Sequence, residues 1–432
     1  MMRSMFSAVS GLRNHQTRMD VIGNNIANVN TVGFKGSRVT FQDQVYELMR
    51  SASAPSNGLG GSNPQEAGLG MMVRSVDTLM TQGSLETTGK SSDVAIQGEG
   101  FFALDTGQGK VYTRVGAFDV NLQKDLVDPA TGYYVMGWLN NNNPAKPDTI
   151  DASMTPTHIS IPMGQLMLAK STTNVAFTGN LDASSAVGTT ASATAQIFDS
   201  QGKACPLSFL FTKTAANTWT YAITPVAPAA VVSGGAGTLH FNVDGSFDTT
   251  ALSTVPALTI NPGSGASNIV VPAPIYTQAN PGGMDFTKAI QFASGSTSGA
   301  KSDIKAQYQD GFPMGALENF SISVDGTVTG TFTNGMNKQL GRIALAVFAN
   351  PAGLMHTGGT MFRQSNNSGE IHYSAPTTAA TGSLVSGALE MANVDLSREF
   401  TSMIITQRGF QANSRIITTS DEMLQELVNL KR

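Results

Sequence analysis

Hydrophobic residues recur every three and four positions at both ends of this chain, and every second position in much of what lies between. From Asn393 to Arg432, Leu396, Phe400, Met403, Gln407, Phe410, Ser414, Ile417, Asp421, Leu424 and Val428 keep an unbroken four–three spacing, and seven of these ten are apolar. That is a heptad seam along one face of a helix, with Gly409 its only glycine. So narrow a stripe cannot be buried by one helix. Met5, Val9, Leu12, Gln16, Met19, Gly23 and Ile26 repeat the spacing within Ser4–Asn28. An ordinary amphipathic helix on a core would also produce this first pattern. The matching pattern at the other end favours a coiled coil, so the two termini are expected to pair and to carry the rest of the chain. Asn24, Asn25, Asn28 and Asn30 crowd the end of the first helix and Gly33 closes it, as residues tolerant of left-handed turns do. Asp395 is placed to cap the second helix, with Glu399 in its first turn.

Between the helices the period falls to two. Asp93–Gln97, Gly98–Leu104, Val111–Val115 and Tyr133–Trp138 read as short strands separated by Gly, Asn and Asp-Pro signals. Ala193–Phe198, Leu207–Phe211, Thr218–Ile223 and Leu239–Val243 read likewise within a block, 173–312, where charges become sparse. Asp244-Gly245 and Asp325-Gly326 are two-residue hairpin signals. Leu340–Phe348 reads as one further strand, and Val226–Gly237 and Asn261–Ser267 as long loops. The stretches 31–72 and 363–389 are rich in Ser, Gly, Thr and Asn, which is linker composition. The expected fold is multidomain: helical coiled-coil termini (1–30 and 390–432), linkers (31–72 and 363–389), a middle β-domain (73–172 and 313–362) and an inserted outer β-domain (173–312), nested so that the chain goes out and comes back.

Composition narrows the function. Only 13% of the 432 residues are charged and 45 are glycine, which suits a turn-rich β protein. The net charge of -4 and the lack of a basic stripe argue against nucleic acid. Cys205 is the single cysteine, so no intramolecular disulfide forms; its apolar setting predicts a buried, inert thiol. The first residues lack the long apolar run of a cleaved secretion signal, and no window reaches the length of a membrane span. No membrane insertion is expected.

Catalytic patterns are missing. His15, His158, His240, His356 and His372 are scattered without ligand spacing, and the carboxylates are dispersed. Gly83 to Ser91 imitates a phosphate-binding loop but has five residues between its glycines where four are required. No catalytic, cofactor or metal site is therefore expected. A secreted β-rich adhesin or glycan-acting enzyme would need a constellation that the chain does not display.

Two longer stretches carry a resemblance. Asp20–Lys35, with Asn24, Asn25, Asn28, Gly33, Phe34 and Lys35, resembles the N-terminal signature of bacterial flagellar rod and hook axial proteins. Leu389–Phe400 and Met403–Asn413, with Asn393, Val394, Gln407 and Arg408, resemble the C-terminal signature of the same family. Asp93–Phe102 and Gly358–Phe362 are similar to its shared β-domain. The large insert points to the hook branch, with the straight distal rod as the alternative. The resemblance implies a structural subunit, not an enzyme, that polymerises into a curved, hollow, flexible tube transmitting torque for swimming. It also implies contacts with rod, hook-cap and hook–filament junction proteins. Export would use the flagellar type III apparatus without a cleaved signal, to a hook outside the cell or, in some bacteria, in the periplasm. On this reading Met5, Val9, Leu12, Met19, Ile26, Leu396, Phe400, Met403, Phe410, Ile417, Leu424 and Val428 form the self-assembly seam, within and between subunits.

Overall fold

A computed structural model describes residues 2–54, 60–140, 150–226, 231–249, 254–262, 266–274, 283–293, 302–378 and 381–430. The two helices form as the pattern predicts: α1 spans Met2–Ala27 and α2 spans Leu396–Asn429. The Asp395 carboxylate accepts from the backbone N–H groups of Ser397 (2.9 Å) and Arg398 (3.3 Å), which satisfies two of the free donors at the start of α2. After α1 the chain turns through Asn28–Gly33, where Asn28 Nδ2 donates to Asn24 O and Gly33 takes a φ of +68°.

The helices pack against each other, but along a different line from the apolar seam. A Cβ added to Gly11 would lie 2.7 Å from Asn413 Nδ2, and one added to Gly409 would lie 2.8 Å from the His15 ring. These contacts run antiparallel. The fully buried residues of α1 are Ala8, Gly11, Ile22 and Asn25, and those of α2 are Thr406 and Ser420. They stand one position before the expected seam. Met5, Val9, Leu12, Met19 and Ile26 are only half-buried, as are Met403, Ile417 and Leu424. Leu396, Phe400, Phe410 and Val428 are exposed. Small side chains let two helix backbones approach closely. The closest approach of the pair is thus made by small residues, Gly11 and Gly409 among them, with half-buried Met403, Ile417 and Leu424 on α2, while Leu396, Phe400, Phe410 and Val428 stay exposed.

The chain divides into two compact units. The first comprises Met1–Pro162, Phe320–Gly330 and Lys338–Arg432. Within it, Ser37–Asp43 pairs antiparallel with Met71–Thr78, and Tyr46–Arg50 pairs with Gln65–Gly68. Much of the segment expected as a linker is therefore a pair of β-ribbons; residues 55–59 lie outside the described residues. The second expected linker is likewise structured. Ser383–Ser386 pairs with Val94–Gln97, and Ala388–Glu390 with Leu85–Thr87. Ladder hydrogen bonds use only the backbone, so a Ser- and Thr-rich segment becomes a strand once a partner edge is offered. The core of this unit holds Phe101, Tyr112, Phe348 and Phe362 in edge-to-face contact, with Phe101 and Phe362 centroids 5.6 Å apart. The run 340–348 is two strands, Asn337–Ile343 and Leu345–Val347, rather than one.

The second unit comprises Met163–Asn319 and Thr331–Asn337. Thr190–Phe198, Ala204–Ala215, Thr218–Pro225 and Ala236–His240 form an antiparallel meander. Alternate residues of Ala204–Ala215 point inward, so Leu207, Phe209 and Phe211 meet Phe177, Tyr221 and Phe286 in the core. Cys205 is buried there and carries a free thiol whose pKa burial pushes up. The Asp244-Gly245 turn forms as expected, with Gly245 at a φ of +80°. Part of the first expected loop, Val231–Ser233, is a strand, whereas only Asn261 of the second lies in one, at the end of Leu258–Asn261; residues 227–230 and 263–265 lie outside the described residues.

Glycines in α1 separate packing from propensity. Gly11→Val should force the helices apart and raise amide exchange along α2. Gly23, which has no heavy atom within 4 Å of an added Cβ, should accept alanine with a gain of about 0.5–1 kcal/mol in thermal unfolding.

Candidate functional site: a polar clasp at the helix roots

The N- and C-terminal signature residues converge where α1 ends and α2 begins. Asn25, on the last turn of α1, copies a strand neighbour: its Oδ1 accepts from Ser37 N (3.0 Å) and its Nδ2 donates to Ser37 O (2.7 Å). Asn393, just before α2, does the same across the chain. Its Oδ1 accepts from Gly36 N (2.8 Å), and its Nδ2 donates to the backbone oxygens of Leu79 (2.7 Å) and Thr81 (3.1 Å). Val394 packs its methyl group against Gly36, where an added Cβ would lie 3.3 Å away. The two asparagines thus tie both helix roots to the backbone of one short segment.

Beneath them lies a buried charge cluster. Lys35 Nζ donates to Glu390 Oε1 at 2.6 Å and to Thr81 O at 2.9 Å. Arg114 reaches Glu390 Oε2 at 3.4 Å and lies over the Phe101 ring at 5.2 Å from its centroid. Gly83 N donates to Glu390 Oε1, and Gly33 N to the Glu390 backbone oxygen at 2.7 Å. The Lys35 and Glu390 side chains are 1% and 0% exposed, so water does not share these contacts. Burial pulls the lysine below its usual pKa, while Glu390 opposes that shift and Arg114 adds to it. Arg114 is likewise lowered by burial. One carboxylate therefore serves two buried cations. Gly33 is required at its corner twice over: its φ is left-handed, and an added Cβ would lie 2.8 Å from Val115 Cγ2.

Of the signature residues, Asn24, Asn25, Asn28, Gly33, Phe34, Lys35, Asn393 and Val394 belong to this region. Asn24 and Asn28 brace the turn, with Asn28 Oδ1 accepting from Thr31 Oγ1 at 3.1 Å. Phe34 N donates to Thr31 O at the end of that turn. Gln407 and Arg408 are not brought here; both are exposed on α2, and Arg408 reaches Gln411 at 3.3 Å. The partners Glu390, Arg114 and Thr81 were not singled out from the sequence. Glu390 stands inside the Leu389–Phe400 signature stretch, where nothing in the sequence marks it as a buried partner.

The rest of α2 is a surface. Ile404 and Ile405 are 57% and 58% exposed and Phe400 50%, whereas Thr406 is 0%. Among the described residues there is no group of three or more His, Cys, Asp or Glu able to hold a metal ion, and no helix is long and apolar enough to cross a membrane.

Family models match as follows: flagella basal body rod protein over residues 5–35, flagellar hook protein FlgE/F/G D1 domain over 95–182, flagellar basal body protein FlaE D2 domain over 165–312, and flagellar basal body rod FlgEFG protein C-terminal over 385–430. The chain is 40% identical over 455 residues to flagellar hook protein FlgE of Borreliella burgdorferi, covering 100% of both. It is 40% identical over 469 residues to that of Treponema pallidum, again covering 100% of both. It is 30% identical over 433 residues to flagellar basal-body rod protein FlgG of Bacillus subtilis, covering 100% of both.

Removing the shared carboxylate should be far worse than removing one cation. Glu390→Ala leaves two buried cations unpaired and should cost about 3–5 kcal/mol in chemical unfolding. Lys35→Met keeps the Arg114 pair and should cost clearly less.

Proposed function

The chain belongs to the flagellar hook and rod protein family, and on that premise we propose that it is the structural subunit of a flagellar hook. Many copies polymerise into a curved, hollow, flexible tube that passes motor torque to the filament. The observation that carries this reading is the set of exposed large apolar side chains on α2. Fully burying a large aliphatic or aromatic side chain contributes roughly 1.5–3 kcal/mol. Phe400, Ile404 and Ile405 are at least half exposed in one subunit, and Phe410 and Ile416 are partly so, while small residues make the closest contacts between the two helices. That distribution suits a helix whose apolar partners are other copies. The seam residues Leu396, Phe400, Met403, Phe410, Ile417, Leu424 and Val428 then act mainly between subunits, and Met5, Val9, Leu12, Met19 and Ile26 supply the facing surface of α1.

In this reading the terminal helices form the inner wall of the tube. The subunit would meet rod, hook-cap and hook–filament junction proteins and leave the cell through the type III apparatus. A repeated contact between unlike surfaces extends into a filament rather than closing. The greater similarity to hook proteins than to the rod protein favours the hook over the distal rod.

Electron microscopy of the purified full chain under assembly conditions checks this. Curved hollow tubes are expected. The double variant Phe400→Ser, Ile404→Ser should stay monomeric with a thermal unfolding midpoint near that of the parent chain. Straight tubes would support the rod instead, and no polymer from the parent chain would defeat the assembly reading.

A further inference from the structure

Polar groups without a protein partner gather at one end of the second unit's core. Ser185 Oγ, Trp219 Nε1 and both amide atoms of Gln291 are buried and make no hydrogen bond among the described residues. Trp219 is 0% exposed and Gln291 4%. An amide left unpaired at that depth is costly, so native cores rarely keep one.

Lys213 marks the place. It too is buried, and its Nζ donates to Ala183 O at 2.6 Å and Ser185 O at 2.9 Å, which uses two of its three N–H groups. Strand register brings the unpaired groups to it. Trp219 is directly opposite Lys213 in the antiparallel pair of Ala204–Ala215 with Thr218–Pro225, and opposite residues share a face. Ser185 supplies one of the lysine's acceptors. Leu181 N donates to Ile290 O at 2.9 Å and Ala183 N to Phe292 O at 3.2 Å, so Gln291 lies alongside the segment that carries the other acceptor. Gly188 N donates to Lys213 O and Lys213 N to Thr189 O, which pins residues 183–189 against the same strand.

The chemistry of the group selects its ligand. Trp219 Nε1 only donates, Ser185 Oγ donates and accepts, and Gln291 offers one acceptor and one amine. A ligand must therefore both accept and donate. It must also be neutral, because the buried Asp182 carboxylate, whose Oδ1 accepts from Ser184 N at 2.7 Å, already stands next in sequence to Ala183. Water meets both conditions and joins groups that do not face one another. We propose that the second unit holds an internal water site here, with ordered waters bridging Trp219 Nε1, Gln291 and Ser185 Oγ beside Lys213. All of its groups lie within one unit of one subunit, so the site does not depend on the self-assembly reading.

Two measurements on the full-length monomer test it. The chain has two tryptophans, and Trp138 Nε1 donates to Met154 O at 2.6 Å. Isotope labelling of tryptophan nitrogen thus yields two indole signals, which Trp138→Phe assigns. The Trp219 indole proton should show a nuclear Overhauser contact with long-lived water, and the lack of one would overturn the site. Gln291→Leu, close in volume, removes the amide in thermal unfolding. A bridged amide predicts a midpoint lowered by about 2–4 °C. An unchanged or raised midpoint, the result of relieving an unpaired amide in a dry core, would overturn the proposal. So would a parent midpoint that climbs with chloride at fixed ionic strength, which would put an anion in the place of water.

Discussion

One buried carboxylate fixes where both helices leave the β framework. Glu390 accepts from Lys35, Gly83 and Arg114, and its backbone oxygen accepts from Gly33. These partners lie far apart in the chain, so the contact closes a loop of more than three hundred residues. A buried ion pair is weak evidence for net stability, because desolvation offsets most of its attraction. Its use here is geometric. An unpaired charge at this depth is costly, which favours the arrangement of the segments around residues 33–37, 79–84 and 390–394 that pairs Lys35 with Glu390. Asn25 and Asn393 extend that arrangement to the helix roots.

Above the clasp the energetics reverse. The contact line between α1 and α2 is short-armed: Gly11 against Asn413, Gly409 against His15, with Thr406 and Ser420 buried. Such a line permits close approach, with half-buried Met403, Ile417 and Leu424 on α2. Phe400, Ile404 and Ile405 of α2 remain at least half exposed. On the proposed assembly reading other copies cover these side chains, and ordering of the ends is coupled to polymer growth.

Periodicity revealed both helices, the cap at Asp395, most of the strands and the Asp244-Gly245 turn, because each depends on local sequence. The heptad it marked runs through exposed Leu396, Phe400, Phe410 and Val428 and half-buried Met403, Ile417 and Leu424, and it leaves out the exposed Ile404 and Ile405. It could not supply a partner, since a heptad of large residues reads the same whether it faces a helix of its own chain or of another copy. The small-residue line one position earlier was present in Ser402, Thr406, Gly409 and Asn413, but a search for hydrophobic spacing passes over it. The β-ribbons within 31–72 and the strands near 383–390 were hidden for another reason. Their Ser- and Thr-rich composition is neutral, and their ladders come from partner edges distant in sequence. The clasp was half legible: Asn25, Lys35, Glu390 and Asn393 all stand in the signature stretches, whereas the pairing of Glu390 with Lys35 and Arg114 emerges only when the strands bring them together.

Thiol labelling at two adjacent positions of α2 measures the division between these faces. In a Cys205→Ser background, Ile405→Cys and Thr406→Cys are compared in the monomer and in the assembled tube. The expected result is a reactive thiol at 405 that becomes protected on assembly, and a thiol at 406 protected in both states. A thiol at 405 already protected in the monomer, or still reactive in the tube, would contradict the assignment of the apolar stripe to contacts between copies.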